Sequence, residues 1–356
     1  WHGYFHSNDV EGDNKALYSQ RFDFPPGINF EPWFKYFRQM GDSNARLAYF
    51  LSLGTHVAPV ALLYPMRTYW SKGRTDLFSR EGAFYNEYLS RLHFDFDLID
   101  ERNLLTADIQ DGSLRIGAED YKVLVLPAVA TLQDATVVDA IEKFVCSGGS
   151  VIFSGRIPSE TQTAGKAADI RDRLACLVDE YERVIYFEEA LATREDGIWV
   201  LLDTLEGLAV RSVGIKEKGK EDLGSFYCLR EDSDALYLAV VNDEERDKDV
   251  EIVLPGVHGI PELWDLSTGK VTPWLCFDQT SAGLKIFYNL AAIEANCFRI
   301  AKGSQVGLHI TDISGKIRES SLTPEGINLQ VEVADSAPFE LQVSGLASSH
   351  SLAVEI

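Results

Sequence analysis

The segment HFDFDLIDER, residues 93–102, carries four carboxylates close together: Asp95, Asp97, Asp100 and Glu101. Carboxylates grouped this way suit two kinds of chemistry. They can ligate a divalent ion through oxygen, or they can supply the acid and base of glycosidic-bond hydrolysis. A structural reading competes and is preferred for the first two. Asp95 and Asp97 alternate with Phe94, Phe96 and Leu98, so on a strand they point away from the apolar set, as a solvated face does.

The run WHGYFHS at residues 1–7 is the second chemistry-bearing stretch. In an extended chain His2, Tyr4 and His6 share one side, and Trp1, Gly3 and Phe5 the other. Aromatic rings stack on pyranose faces, so such a run at the end of a barrel strand can line a sugar pocket. A solvated terminal stub is the competing reading. Trp33, Trp70, Trp199, Trp264 and Trp274 read first as core or interface anchors.

Several chemistries are excluded. Neither GxGxxG nor GxxxxGK[ST] occurs, so no backbone cradle for nucleotide phosphates is expected. The five cysteines are scattered, odd in number and form no CxxC pair. A disulfide framework and a zinc site are therefore not expected, and the cysteines read mostly as small buried apolar residues. The sequence thus predicts no metal and no cofactor. The formal charge is −22, from 33 basic and 55 acidic residues. That repels nucleic acid and anionic membranes and is compatible with a neutral carbohydrate. No apolar run approaches the roughly 20 residues of a membrane helix. The chain begins at Trp1 without an initiator Met or a signal-peptide pattern, which reads as a trimmed N-terminus or part of a longer chain. Cysteine usage leaves the compartment open, with a periplasmic or secreted location slightly favoured.

The elements that must position these residues centre on EDYKVLVLPAVATLQDATVVDAIEKFVCSGGSVIFSGRIP, residues 119–158. YKVLVLP and SVIFSG are continuous apolar runs, as in strands buried on both faces. Between them Val137, Val138, Ile141, Phe144 and Val145 follow helical spacing. Gln133-Asp134 stands where an N-cap belongs, and Gly148-Gly149 where a C-cap belongs. This is a βαβ unit. Strands at 57–64, 96–99, 121–126 and 150–154, with VIYF as a possible edge strand, predict a flavodoxin-like or Rossmann-like three-layer α/β domain over 56–208, with the flavodoxin-like form preferred. Ligands of such sheets bind at the carboxyl ends of the strands. That places Tyr64 to Trp70 and Asp100 to Asn103 at the candidate edge.

Before this domain, residues 1–32 show no period, and residues 32–53 read as one helix or as a pair broken at Gly41-Asp42. RTYWSKGRTDLF, residues 67–78, reads as a loop. After about Val210 the pattern alternates with period two, which predicts an antiparallel β-sandwich over 209–302. A partial β-rich segment over 303–356 follows.

The run from Pro25 to Trp70 resembles the passage from a catalytic barrel into the next domain of large multidomain bacterial glycoside hydrolases. Residues 93–129 resemble their domain of the class I amidotransferase type. LYLAVVNDEERDKDVEIVLPG and ELWDLSTGKVTPW resemble their downstream sandwich. The chain is most similar to the α-L-rhamnosidases of this type, and more distantly to the trimeric β-galactosidases. The resemblance covers residues 1–302. It implies catalytic carboxylates on an upstream barrel, of which residues 1–55 hold at most the tail. No acid pair here matches those positions, so no catalytic residue is carried over. The amidotransferase frame likewise has no cysteine after a sheet strand and no later HxE.

The expectation is an accessory region of a carbohydrate-active enzyme. His2, Tyr4, His6, Trp70 and Glu101 are its substrate-proximal candidates. Its partners are an oligo- or polysaccharide and an upstream catalytic domain or a second copy. The alternatives are a stand-alone sugar-binding or scaffold module, and an autonomous glycosidase using Asp100, Glu101 and the N-terminal histidines.

Overall fold

The computed structural model describes residues 32–73, 76–161, 167–208, 210–303, 307–313, 316–323, 326–332 and 341–345. A 3-10 turn over Pro32–Tyr36 runs into helix α1, Phe37–Phe50. The helix passes through Gly41-Asp42 without a break, so of the two readings the single helix holds. One glycine costs a helix only about 1 kcal/mol, and burial of Phe50 at the end of this helix outweighs that. Strand β1, Thr55–His56, follows.

Next comes the first unit of the α/β layer: β2 (Val60–Leu63), helices α2 (Met66–Lys72) and α3 (Asp76–Arg91), and β3 (Phe96–Ile99). Helix α2 corrects the loop expected over 67–78. Pro65 precedes its first turn and Gly73 at φ +72° closes it, and punctuation this closely spaced hides a seven-residue helix from periodicity. Helix α4 (Glu101–Thr106) leads to a three-stranded antiparallel excursion, β4 (Asp108–Gln110), β5 (Ser113–Ile116) and β6 (Glu119–Tyr121). Its tight turn is Asp111-Gly112, both at positive φ, as a hairpin with a two-residue loop requires.

The βαβ unit is β7 (Val123–Pro127), a short β8 (Thr131–Leu132), α5 (Ala135–Ser147) and β9 (Ser150–Ser154). Asp134 caps α5 by accepting the Thr136 N–H at 2.9 Å, and Gly148 ends it in the left-handed region. Both lie where the sequence puts them. Strand β10 (Glu160–Thr161), helix α6 (Ala167–Glu180), strand β11 (Val184–Phe187) and helix α7 (Gly197–Gly207) complete the layer.

Strands β3-β2-β7-β9-β11 form one parallel sheet. In chain order this is 2-1-3-4-5, one of the two common orders of doubly wound sheets. Side chains of alternate residues enter two cores. On one face Ala61, Leu63, Leu124, Leu126, Val151 and Phe153 pack against α5 and α6. On the other, Val60, Leu62, Val123, Val125 and Ile152 pack against α3 and α7.

From β12 (Gly214–Glu217) and β13 (Lys220–Glu221) onward the described elements are strands: β14 (Ser225–Glu231), β15 (Ala235–Asn242), β16 (Lys248–Pro255), β17 (Gly259–Trp264), β18 (Val271–Pro273), β19 (Phe277–Thr280), β20 (Gly283–Leu290) and β21 (Ala295–Lys302). They make two antiparallel sheets, β1-β14-β15-β21-β17-β18 and β13-β12-β16-β20-β19. Leu238, Val240, Phe298 and Ile300 from the first meet Ile252, Leu254, Leu284 and Ile286 from the second. The outer face of the first sheet is covered by α1. Phe50, 1% exposed, sits edge-on to Tyr237 and Trp264 at 5.8 and 5.4 Å between ring centroids.

Beyond residue 303 the described strands are β22 (His309–Ile313), β23 (Lys316–Thr323), β24 (Gly326–Glu332) and β25 (Leu341–Ser344), paired β22 with β25 and β23 with β24. Ile310 is buried in the sandwich core and His309 stacks on Phe277 at 4.6 Å, so this segment leans on the sandwich.

Candidate functional site at the carboxyl edge of the parallel sheet

Strand β2 ends at Leu63, and the chain turns through Tyr64-Pro65 into α2, which lies across the carboxyl edge. Thr68 on α2 is fully buried. Its hydroxyl accepts the N–H groups of Ala130 and Thr131 at 3.0 and 3.1 Å. This ties α2 to the segment after β7, where Ala128 adopts φ +50°. A sharp turn follows the central strand, and Ala128 is fully buried there. Ser71 and Thr131 share a 2.8 Å hydrogen bond, Thr131 donates to Glu160 at 3.2 Å, and Lys72 pairs with Glu160 at 2.7 Å.

Two of the sequence-predicted site residues meet here through a third. Arg67 Nε donates to Glu101 Oε2 at 2.9 Å, and the Arg67 guanidinium carbon lies 6.0 Å from the centre of the Trp70 ring. Gln133 N donates to the same Glu101 oxygen at 2.8 Å, while Arg67 Nη2 donates to Gln133 Oε1 at 2.6 Å. Glu101 is 8% exposed and Trp70 67% exposed. Burial pushes the Glu101 carboxyl up, and the bonds from Gln133 and Arg67 pull it back only in part, so it stays above the ordinary Glu range.

Two further carboxylates at this edge are helix caps. Asp100 caps α4 in a reciprocal box with Asn103, at 3.0 and 2.9 Å. Arg102 and the Asn103 N–H hold its carboxyl below the usual range. Asp134, capping α5, is lowered by the Thr136 hydroxyl and N–H. The edge therefore offers a buried, ion-paired carboxylate beneath an exposed aromatic platform. Tyr64, 42% exposed, and Met66, 40% exposed, widen that platform, and Tyr64 and Tyr69 lie 5.7 Å apart. A flat indole beside a guanidinium can stack on the apolar face of a sugar ring. His2, Tyr4 and His6 lie outside the described residues.

The opposite, amino edge of the sheet collects residues that sequence spacing left apart. His56 Nε2 lies 2.8 Å from Asp95 Oδ2, and His56 Nδ1 lies 3.6 Å from Asp97 Oδ2 and 3.9 Å from Glu119 Oε2. Asp95 and Asp97 do share one face, as the alternation predicts, but that face carries an ion-pair cluster and not simply solvent. Leu98 on the other side is 56% exposed, because β3 is an edge strand. Hydrogen bonding to Asp95, then to Asp97 and Cys228, outweighs burial and pushes the His56 imidazole up to about 12. The cysteines also differ from expectation. Cys276 and Cys297 are buried, Cys228 is half-buried, and Cys146 and Cys176 are exposed, since the last two lie on outward positions of α5 and α6.

No family model matches the chain, and no curated protein matches it significantly. Solved structures do. The rhamnosidase of Novosphingobium sp. PP1Y superposes with a TM-score of 0.58 at 17% identity, over 84% of this chain and 29% of that one. The beta-galactosidase of Bacillus circulans sp. alkalophilus gives 0.51 at 13% identity, over 77% and 46%. A catalytic mutant of Gan42B, a GH42 beta-galactosidase from G. stearothermophilus, gives 0.50 at 13%, over 77% and 44%. The chain thus spans less than half the length of each of these structures. At such identities the likeness is one of fold: an α/β layer joined to β-rich layers, shared with glycoside hydrolase structures.

Proposed function

We propose that this chain is an accessory region of a carbohydrate-active glycoside hydrolase, with hydrolysis of α-L-rhamnoside-type bonds as the parent reaction. The strand order 2-1-3-4-5 supports reading residues 56–208 as a flavodoxin-like, amidotransferase-like domain. The fold likeness to a rhamnosidase across 84% of this chain but 29% of that one supports an accessory rather than a complete enzyme. The observation that carries the reading is at the carboxyl edge. Glu101 is engaged by Arg67 and Gln133, and Asp100 and Asp134 are engaged as helix caps. Hydrolysis of a glycosidic bond needs two carboxyl groups facing the scissile bond. Carboxylates tied into caps and a buried pair position elements instead. The role left to this edge is contact with a sugar chain through Trp70 and Tyr64.

Titration of the chain with rhamnose-containing oligosaccharides, followed by tryptophan fluorescence, tests this role. A saturable change that Trp70→Ala abolishes is expected. Saturation that survives Trp70→Ala overturns the assignment of the platform.

A further inference from the structure

We propose that His56, Asp95 and Cys228 form a zinc site at the seam between the α/β layer and the sandwich, with Asp97 and Glu119 orienting the imidazole. The three residues come from β1, the residue before β3, and β14. His56 pairs with Arg230 across β1 and β14, and Cys228, two residues along that strand, projects to the same face. One imidazole nitrogen of His56, one carboxylate oxygen of Asp95 and the Cys228 sulfur lie within 4.8 Å of one another. Tetrahedral zinc holds its ligand atoms roughly 3.3–3.8 Å apart, as its bond lengths of about 2.0–2.3 Å require. The 2.8 Å contact of His56 with Asp95 therefore opens by a fraction of an ångström to admit the ion.

The donor set decides the metal. One nitrogen, one carboxylate oxygen and one sulfur suit borderline-soft zinc, whereas calcium and magnesium take oxygen ligands. Three protein ligands leave the fourth position to water.

The far side of the ring is arranged as a metal-bound histidine requires. Its second nitrogen, Nδ1, faces the Asp97 and Glu119 carboxylates, the outer partners that fix ring orientation and raise ligand basicity. Asp97 is itself held by the Tyr121 hydroxyl, which donates at 3.0 Å. Glu119 Oε2 is buried without a hydrogen-bond partner, an acceptor that a proton held on Nδ1 faces. Around the cluster stand the carboxylates of Asp95, Asp97 and Glu119, with Arg230 as the facing cation. His56 also lines a cleft of about 920 Å³ between the two layers. Binding releases the Nε2 proton of His56 and the Cys228 thiol proton to solvent.

The test is made on the full chain after chelator treatment. Zinc is titrated by calorimetry, and cobalt serves as an optical probe of thiolate ligation. One equivalent of zinc is expected, together with a cobalt–thiolate charge-transfer band that Cys228→Ser removes. Asp97→Asn and Glu119→Gln weaken zinc by roughly 10–100-fold, the range for outer partners. Absence of stoichiometric zinc binding overturns the site, leaving a plain ion-paired seam. A cobalt complex without a thiolate band, or full affinity in Cys228→Ser, overturns it equally. Because Cys228→Ser keeps the size of the side chain, the test does not depend on whether His56→Ala folds.

Discussion

Arg67 Nε and Glu101 Oε2 stand 2.9 Å apart at the carboxyl edge, and that same oxygen accepts the Gln133 N–H at 2.8 Å. One carboxylate thus fastens α2 and the start of α5 to α4. Removing the cation should cost more than removing the charge. Arg67→Ala leaves a carboxyl that is 8% exposed without its cation, and a loss of about 3 kcal/mol is expected. Glu101→Gln keeps an acceptor in place and should cost about 1 kcal/mol. Urea denaturation of the two variants checks the order. Equal losses would mean that the pair is not electrostatically coupled.

A second ionic cluster makes the seam between α3 and the sandwich sensitive to acid. Arg211 Nη1 donates to Glu221 Oε2 at 2.9 Å, and His93 Nδ1 lies 3.7 Å from that oxygen. Burial alone would push the Glu221 carboxyl up, but His93 and Arg211 outweigh it and bring it down from 4.5 to about 2. A carboxyl depressed in the folded state adds stability that is fully present above the unfolded value and lost as pH falls through the folded one. The window is therefore pH 4.5 down to about 2, and the contribution is about 3 kcal/mol. Thermal melts across this range should show a fall in Tm that Glu221→Gln flattens.

Helix α1 is held to the sandwich by the Phe50 ring and by Arg46, which donates to the Leu266 and Ser267 carbonyls at 2.7 and 2.9 Å. Phe50 is 1% exposed between Tyr237 and Trp264. Phe50→Ala should cost about 3–5 kcal/mol. Hydrogen exchange should show α1 losing protection before the sandwich strands do. Uniform loss across both would place α1 within the same cooperative unit.

The βαβ unit could be read from the sequence because all its signals are local. Asp134 and Gly148 bracket an apolar stripe between two apolar runs, and each lies where it was expected. The period-two strands after residue 210 were equally local. Helix α2 was missed because Pro65 and Gly73 crowd a single short helix, and turn residues dominate such a window. At the candidate edge, Trp70 and Glu101 stand out in the sequence by the rule that ligands gather where parallel strands end. Arg67, which joins them, carries no spacing signal. The His56 cluster was hidden more completely. Asp95 and Asp97 share one segment, but His56, Glu119 and Cys228 come from three others; the pairing of β1 with β14 sets His56 beside Cys228, and the pairing of β2 with β3 brings the two aspartates to the same edge. The sequence showed scattered cysteines and no zinc motif, because strand pairing and not spacing assembles this donor set.

The measurement that bears most directly on the accessory reading is turnover of an aryl glycoside panel, α-rhamnosides and β-galactosides included, by this polypeptide alone. No hydrolysis of any member is predicted, since Glu101, Asp100 and Asp134 are engaged in holding α2, α4 and α5. Clear turnover that Glu101→Gln abolishes would contradict the account and make Glu101 a catalytic acid.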